Sequence, residues 1–355
     1  MIPALAASLG LDPSDPAFWM PLLFMGLLFL LVAGGAVLDG FDLGVGLLLG
    51  AAPPAERTRM MILLSPWRDA NEFWLLLGAG LFFAAFPFAW GAIAGQLYLP
   101  LTLMLLGTVL RSVSFEFRLR ANAATRPRWI AGFWLGSLLT AFSHGLLLAR
   151  VVTGYADQPG YLWLALFVGV CAVAAYALLG ATWLAMRVEG LLQRAAVGWA
   201  RHATRWAAAG MVAVSVVLGL ANGGVFYKWS NLSDLVVAAA IWGVMLACFV
   251  AIEMLLNRMA RGQALGLAWL PFALSVLLFL LTLGGLGYSL FPYLILDDLT
   301  LWDGAAATGS LRLVLAATVV CVPVMAVFNV LAYRTLFGRE RGAEAVAAAS
   351  VPRAG

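Results

Sequence analysis

The chain has 355 residues, 64% of them hydrophobic and only 11% charged. Soluble domains carry about 25% charged residues, so a soluble globular protein is excluded. The formal net charge of +4 sits on arginines scattered among short segments, a pattern that argues against a nucleic-acid surface. A mean hydropathy of +0.97 predicts an all-α polytopic membrane protein.

Apolar runs long enough to span, about 20 residues each, are predicted at 18–50, 72–94, 96–117, 129–152, 161–187, 206–226, 233–256, 266–291 and 311–336. That gives about nine transmembrane helices in one domain over 1–337, with an Ala-, Gly- and Arg-rich mobile tail at 338–355. No exact internal repeat is visible. The opening MIPALAASLGLDPSDP lacks a basic stretch, so no cleavable signal is expected. Cys171, Cys248 and Cys321 lie inside apolar runs and read as small packing residues, with no metal-ligand spacing.

The basic residues check this count. Of 21 Lys and Arg, 18 fall after the odd-numbered runs or at their ends; only Arg150, Lys228 and Arg312 lie on the other side. The positive-inside rule then predicts an N-terminus outside and a C-terminus in the cytoplasm. Asp12, Asp15, Asp157, Asp234, Asp297, Asp298 and Asp303 fall on the outer side.

Carboxylates inside the apolar runs are the sharpest functional signal. Asp39 and Asp42 lie near the far end of the first run, and Asp69 and Glu72 open the second. A charge at bilayer depth costs about 2.5–3.5 kcal/mol on translocon scales, so such groups face a protein interior, pair, or line an ion path. Arg68, Arg111 and Arg118 are the expected counter-ions. Asp39 and Asp42 also precede Gly44 and Gly46, a composition that suits close helix packing. Asp69 and Glu72 sit in a first helical turn, where the dipole favours negative charge by about 0.3–1 kcal/mol, so capping or pairing is their alternative reading. Glu253 is expected to pair with Arg258 or another arginine on the same side. His144, in AFSHG, is expected to hydrogen-bond across helices rather than ligate a metal; His202 is placed in a basic loop. Trp302-Asp303 reads as a loop anchor.

Five segments occur in an order that is similar to a known family: LDGFDLGVGLLLG (Leu38 to Gly50), RDANEFWLLLGAGLFFAAFPFAW (Arg68 to Trp90), RSVSFEFR (Arg111 to Arg118), YALLGATWLAMRVEG (Tyr176 to Gly190) and LTLWDGAA (Leu299 to Ala306). They resemble subunit II of cytochrome bd-type quinol oxidases, in the branch that includes the cyanide-insensitive oxidases. Two departures stand out: Arg68 holds a place where the family usually has Trp, with Trp67 one position earlier, and Phe117 stands where Tyr is more common.

The resemblance implies two four-helix bundles plus a peripheral helix, docked on a haem-bearing subunit I in the bacterial inner membrane. The complex would oxidise quinol and reduce dioxygen to water, and this chain would not be catalytic alone. Haems b and d would sit on the partner, since two histidines cannot ligate three haems. A structural quinone and a small single-helix accessory subunit are compatible with it. The resemblance also implies that Asp69 and Glu116 belong to a cytoplasmic proton route, with Asp42 as a further candidate and Arg68, Arg111, Arg118 and Glu72 as supporting groups. The competing class is a proton-coupled secondary transporter, which typically shows inverted repeats and midplane charges; here the acids gather toward one face.

Overall fold

The computed structural model describes residues 6–65 and 67–336, the last two without their side chains; the tail expected at 338–355 lies outside them. Helix α1 runs Pro16–Leu48, α2 Pro54–Leu64, α3 Arg68–Ala85, α4 Pro87–Arg120 and α5 Arg126–Val152. Then come α6 Pro159–Arg187, α7 Leu191–Ala221, the short α8 Gly223–Ser230, α9 Leu232–Ala260, α10 Trp269–Leu290 and α11 Thr308–Leu336. Between α10 and α11 lies a small antiparallel hairpin, β1 Tyr293–Ile295 with β2 Leu299–Thr300.

Eight of the described helices are long and apolar enough to cross a membrane. The remaining expected span corresponds to α3, whose 18 residues include Arg68, Asp69 and Glu72. Helices α1, α3, α4 and α5 form one group and α6, α7, α9 and α10 another, with α1 packed on α6 and α10 between them; α11 lies against α3.

Two expected boundaries are corrected. Hydropathy divides the second and third runs near residue 95, but the chain breaks at Phe86 and α4 begins at Pro87. Proline lacks the N–H that a helix interior needs, and its fixed φ suits a first turn. Helix α4 therefore has 34 residues, about 51 Å, longer than the roughly 20 residues that a span needs. The sixth run starts at Leu191 rather than 206, because Leu, Gln, Arg and Ala are good helix formers whether or not lipid surrounds them. His202 is consequently helical, its Nδ1 2.9 Å from the Gly198 carbonyl, and not in a loop.

The closest packing is between α1 and α6. A Cβ on Gly44 would lie 2.0 Å from the Tyr176 carbonyl oxygen and 2.6 Å from the Gly180 nitrogen, so the two backbones touch there and only glycine fits. At the other end of the molecule, Trp302 donates from Nε1 to the Phe18 carbonyl at 3.0 Å and stacks on the Phe18 ring at 5.6 Å. It anchors the loop before α11 to the start of α1, as expected for Trp302-Asp303. Glu253 pairs with Arg205 at 3.4 Å, an arginine of the side anticipated.

Candidate functional site

The acids of α1 and α3 converge with arginines of α3 and α4 where those three helices meet. Near the end of α1, Asp39 and Asp42 are one turn apart and share a face; both are buried. The first turns of α3 supply Arg68, Asp69, Asn71 and Glu72, and the last turns of α4 supply Arg111, Ser112, Phe115 and Arg118.

Arg111 is fully buried. Its Nη2 makes a short ion pair with Asp39 and lies 3.2 Å from Glu72 Oε1. Glu72 is also held by the Ser112 hydroxyl at 2.9 Å and by Arg68 at 3.5 Å. Arg68 donates in turn to Asp69 at 3.0 Å and to Ser112 at 3.3 Å. The result is a ladder of alternating charge, Asp69–Arg68–Glu72–Arg111–Asp39. It begins at a side chain 74% exposed and ends inside the protein. Each interior charge has an opposite neighbour, which is the condition for keeping it at depth.

Asp42 stands apart from this ladder. It is fully buried. Its Oδ2 accepts from Asn71 Nδ2 at 2.9 Å, its Oδ1 has no hydrogen-bond partner, and among the described residues no cation pairs with it. It can therefore take or release a proton without breaking an ion pair. Asn71, itself buried, accepts from the Tyr333 hydroxyl at 3.1 Å, which ties α11 to the site.

Of the expected site residues, Asp42, Glu72, Arg68 and Arg111 are brought together. Asp69 is at the exposed end. Glu116 is exposed and its charge acts on Arg118; among the described residues no ion pair joins it to the ladder. Arg118 is buried and lies 4.5 Å from the centroid of the Phe115 ring, with Arg68 at 4.6 Å from the same ring, a cation–π contact made beside its attraction to Glu116. Asp39, Asn71 and Tyr333 are the residues that sequence reasoning did not assign to the site. Asp39 carried a signal, its spacing from Asp42; the other two carried none.

A second feature lies deeper between the helix groups. A cavity of about 570 Å³ is lined by apolar side chains including Leu28, Phe82, Trp90 and Leu147, with His144 and Tyr176 in its wall. His144 Nδ1 is 2.9 Å from the Tyr176 hydroxyl, the cross-helix bond expected of that histidine. Among the described residues no three His, Cys, Asp or Glu side chains converge as metal ligands.

Fold and site together define a polytopic membrane subunit whose intramembrane charges gather at one end of the bundle. The family model described as cytochrome bd terminal oxidase subunit II matches residues 20–336, and the chain belongs to that family. Cytochrome bd-I ubiquinol oxidase subunit 2 of Escherichia coli K12 is 27% identical, the alignment covering 87% of this chain and 92% of the relative. Cytochrome bd ubiquinol oxidase subunit 2 of Bacillus subtilis is also 27% identical, over 83% of this chain and 90% of its own. The fold matches a chain of the bd oxidase structure from Geobacillus thermodenitrificans with a TM-score of 0.70 at 17% identity, covering 90% of this chain and 99% of that one. The protein is thus a multi-pass bacterial membrane protein and a subunit of a respiratory quinol oxidase, and the transporter reading falls away.

Proposed function

We propose that this subunit delivers protons from the cytoplasmic side toward the oxygen-reducing centre, with Asp42 as the buried station. The observation that carries the reading is the contrast between Asp42 and its neighbours. Every other interior acid here is neutralised by an arginine, whereas Asp42 has one amide bond and a free carboxylate oxygen. Arginine stays charged at all working pH values, so the ladder itself conducts poorly and acts as the fixed frame around Asp42. Asp69 and Glu116, exposed at the same end, gather protons from water. The division of labour that follows puts haems b and d, with quinol and dioxygen chemistry, on subunit I; this chain is not catalytic alone. The arginine distribution supports a cytoplasmic C-terminus and an outer N-terminus. The apolar cavity beside His144 and Tyr176 has the size and polarity for the prenyl chain and carbonyl of a structural quinone, and a single-helix accessory subunit would add a further lipid-facing contact.

Asp42→Asn and Asp69→Asn in the assembled oxidase test the proton reading. Both keep volume and remove proton exchange. Quinol oxidase turnover is expected to fall about tenfold or more for Asp42→Asn, equivalent to about 1.4 kcal/mol on the barrier, and to fall less for the exposed Asp69, with haem content unchanged in both. Full turnover in an intact Asp42→Asn enzyme would leave this subunit a scaffold.

A further inference from the structure

Helix α11 is the most exposed spanning helix, with only 17% of its apolar window buried inside the protein. Its outer face is Val319, Val320, Val324 and Val327, as suits a helix in lipid. Yet two polar side chains one turn apart, Asn329 and Tyr333, both turn inward, and both address the start of α3. Asn329 Nδ2 donates to the Ala70 carbonyl at 3.0 Å. The Tyr333 ring stacks on Trp67, centroids 5.4 Å apart and nearly parallel, and its hydroxyl donates to Asn71 Oδ1 at 3.1 Å. Asn71 then donates its other end to Asp42. Polar groups at membrane depth are uncommon unless they have work to do.

The chemistry lies in the amide. A primary amide has a donating end and an accepting end, and its neighbours decide which way it faces. A hydroxyl that donates to Oδ1 commits Nδ2 to Asp42. Asn71 then binds the carboxylate at Oδ2 and leaves Oδ1 free to receive or lose a proton. Without the hydroxyl the amide is free to turn over. It would then present Oδ1 to Asp42, accept that proton, and hold it in place.

We propose that Tyr333 is a positioning residue for Asp42, acting through Asn71, and that the peripheral helix is part of the proton machinery rather than a lipid-facing strut. This rests on the reading of Asp42 as the buried proton station. Tyr333→Phe keeps the ring and its stack on Trp67 and removes only the hydroxyl. Asn329→Ala removes the neighbouring contact and leaves Asn71 alone.

The test uses the assembled, purified oxidase. Redox-induced infrared difference spectra identify the Asp42 carboxyl band as the one lost in Asp42→Asn; the solvent deuterium isotope effect on turnover is read in the same samples. In Tyr333→Phe the band is expected to shift, turnover to fall about threefold, the scale of one lost hydrogen bond, and the isotope effect to rise, with haem content unchanged. Asn329→Ala should leave band and isotope effect as in the unmodified enzyme. An unmoved band with an unchanged isotope effect in Tyr333→Phe overturns the proposal, and so does an equal change in Asn329→Ala, which would mean that helix docking alone is being sensed. Should Asp42→Asn itself keep full turnover, the proton-delivery reading fails, while a band shift in Tyr333→Phe would still report its hold on Asp42.

Discussion

The pair of Arg111 and Asp39 gives the most demanding test of how this bundle is held. Arg111 is fully buried and the Asp39 side chain is 5% exposed. Arg111→Met leaves Asp39 without its cation and leaves Glu72 with Arg68 and Ser112 only. Removing one member of a buried pair destabilises by about 3–5 kcal/mol, because the remaining charge is stranded. Asp39→Asn is milder, about 1–3 kcal/mol, since Arg111 still has Glu72 at 3.2 Å. The double variant removes both members of the pair and should recover at least about 2 kcal/mol of the summed losses, a coupling expected of residues in direct contact. The assay is denaturing-detergent titration of the assembled oxidase in mixed micelles, followed by loss of the native complex, for the unmodified protein, both single variants and the double. A loss below about 1 kcal/mol for Arg111→Met, or additivity within about 0.5 kcal/mol, would refute the argument that the ladder is an electrostatically closed unit.

Two further outcomes follow from other parts of the structure. Gly44→Ala forces a Cβ against backbone atoms of Tyr176 and Gly180, 2.0 and 2.6 Å away, so stability should drop by about 3 kcal/mol or more; Gly80→Ala, with nothing within 4 Å, should be neutral or stabilising by up to about 1 kcal/mol, and thermal unfolding of the two side by side checks this. Tyr155, in the loop after α5, packs against the small core cluster of Ile93, Leu97 and Ile295, and burial pushes its phenol up to about 12 from an unfolded value near 10. Between those values the folded state keeps a proton that the unfolded state has lost, so stability should fall as pH rises through that window, by up to about 2 kcal/mol, and Tyr155→Phe should flatten the fall in a melting series against pH.

The helix pattern was largely legible, because hydropathy and arginine placement are local signals that each span declares for itself. What local signals could not place was where a helix begins and ends beyond its apolar stretch. Residues 191–205 are polar enough to read as a loop and helical all the same, and the break at Pro87 sits within an apolar stretch that hydropathy cannot divide. The hairpin at 293–300 is too short to stand out. In the site, the acids and their arginines were visible as charges out of place, and Arg68 and Arg111 do serve as counter-ions. Arg118 faces Glu116 and the Phe115 ring rather than the buried acids of α1. Asp39 was read with its glycines as packing; the two coexist, since Gly44 makes the helix contact and Asp39 faces the other way to Arg111. The bond between Asn71 and Tyr333 joins positions 262 residues apart, and nothing in either neighbourhood announces it.

The ladder also has a history in time. Asp39 is synthesised 72 residues before the arginine that neutralises it, which at about 5–20 residues per second is roughly 4–14 s of translation. Until Arg111 is made, the one cation of the ladder that has emerged is Arg68 of α3, whose ion pairs are with Asp69 and Glu72 and not with either acid of α1. The apolar stretch of α1, mean hydropathy 2.4, is what commits it to the bilayer first. Helix α3, short and charged at its start, is a poor candidate to insert by itself and becomes competent once α4 arrives with Arg111. The first three spanning segments, α1, α3 and α4, are therefore best understood as a single unit of biogenesis, whose charges are settled together rather than one helix at a time.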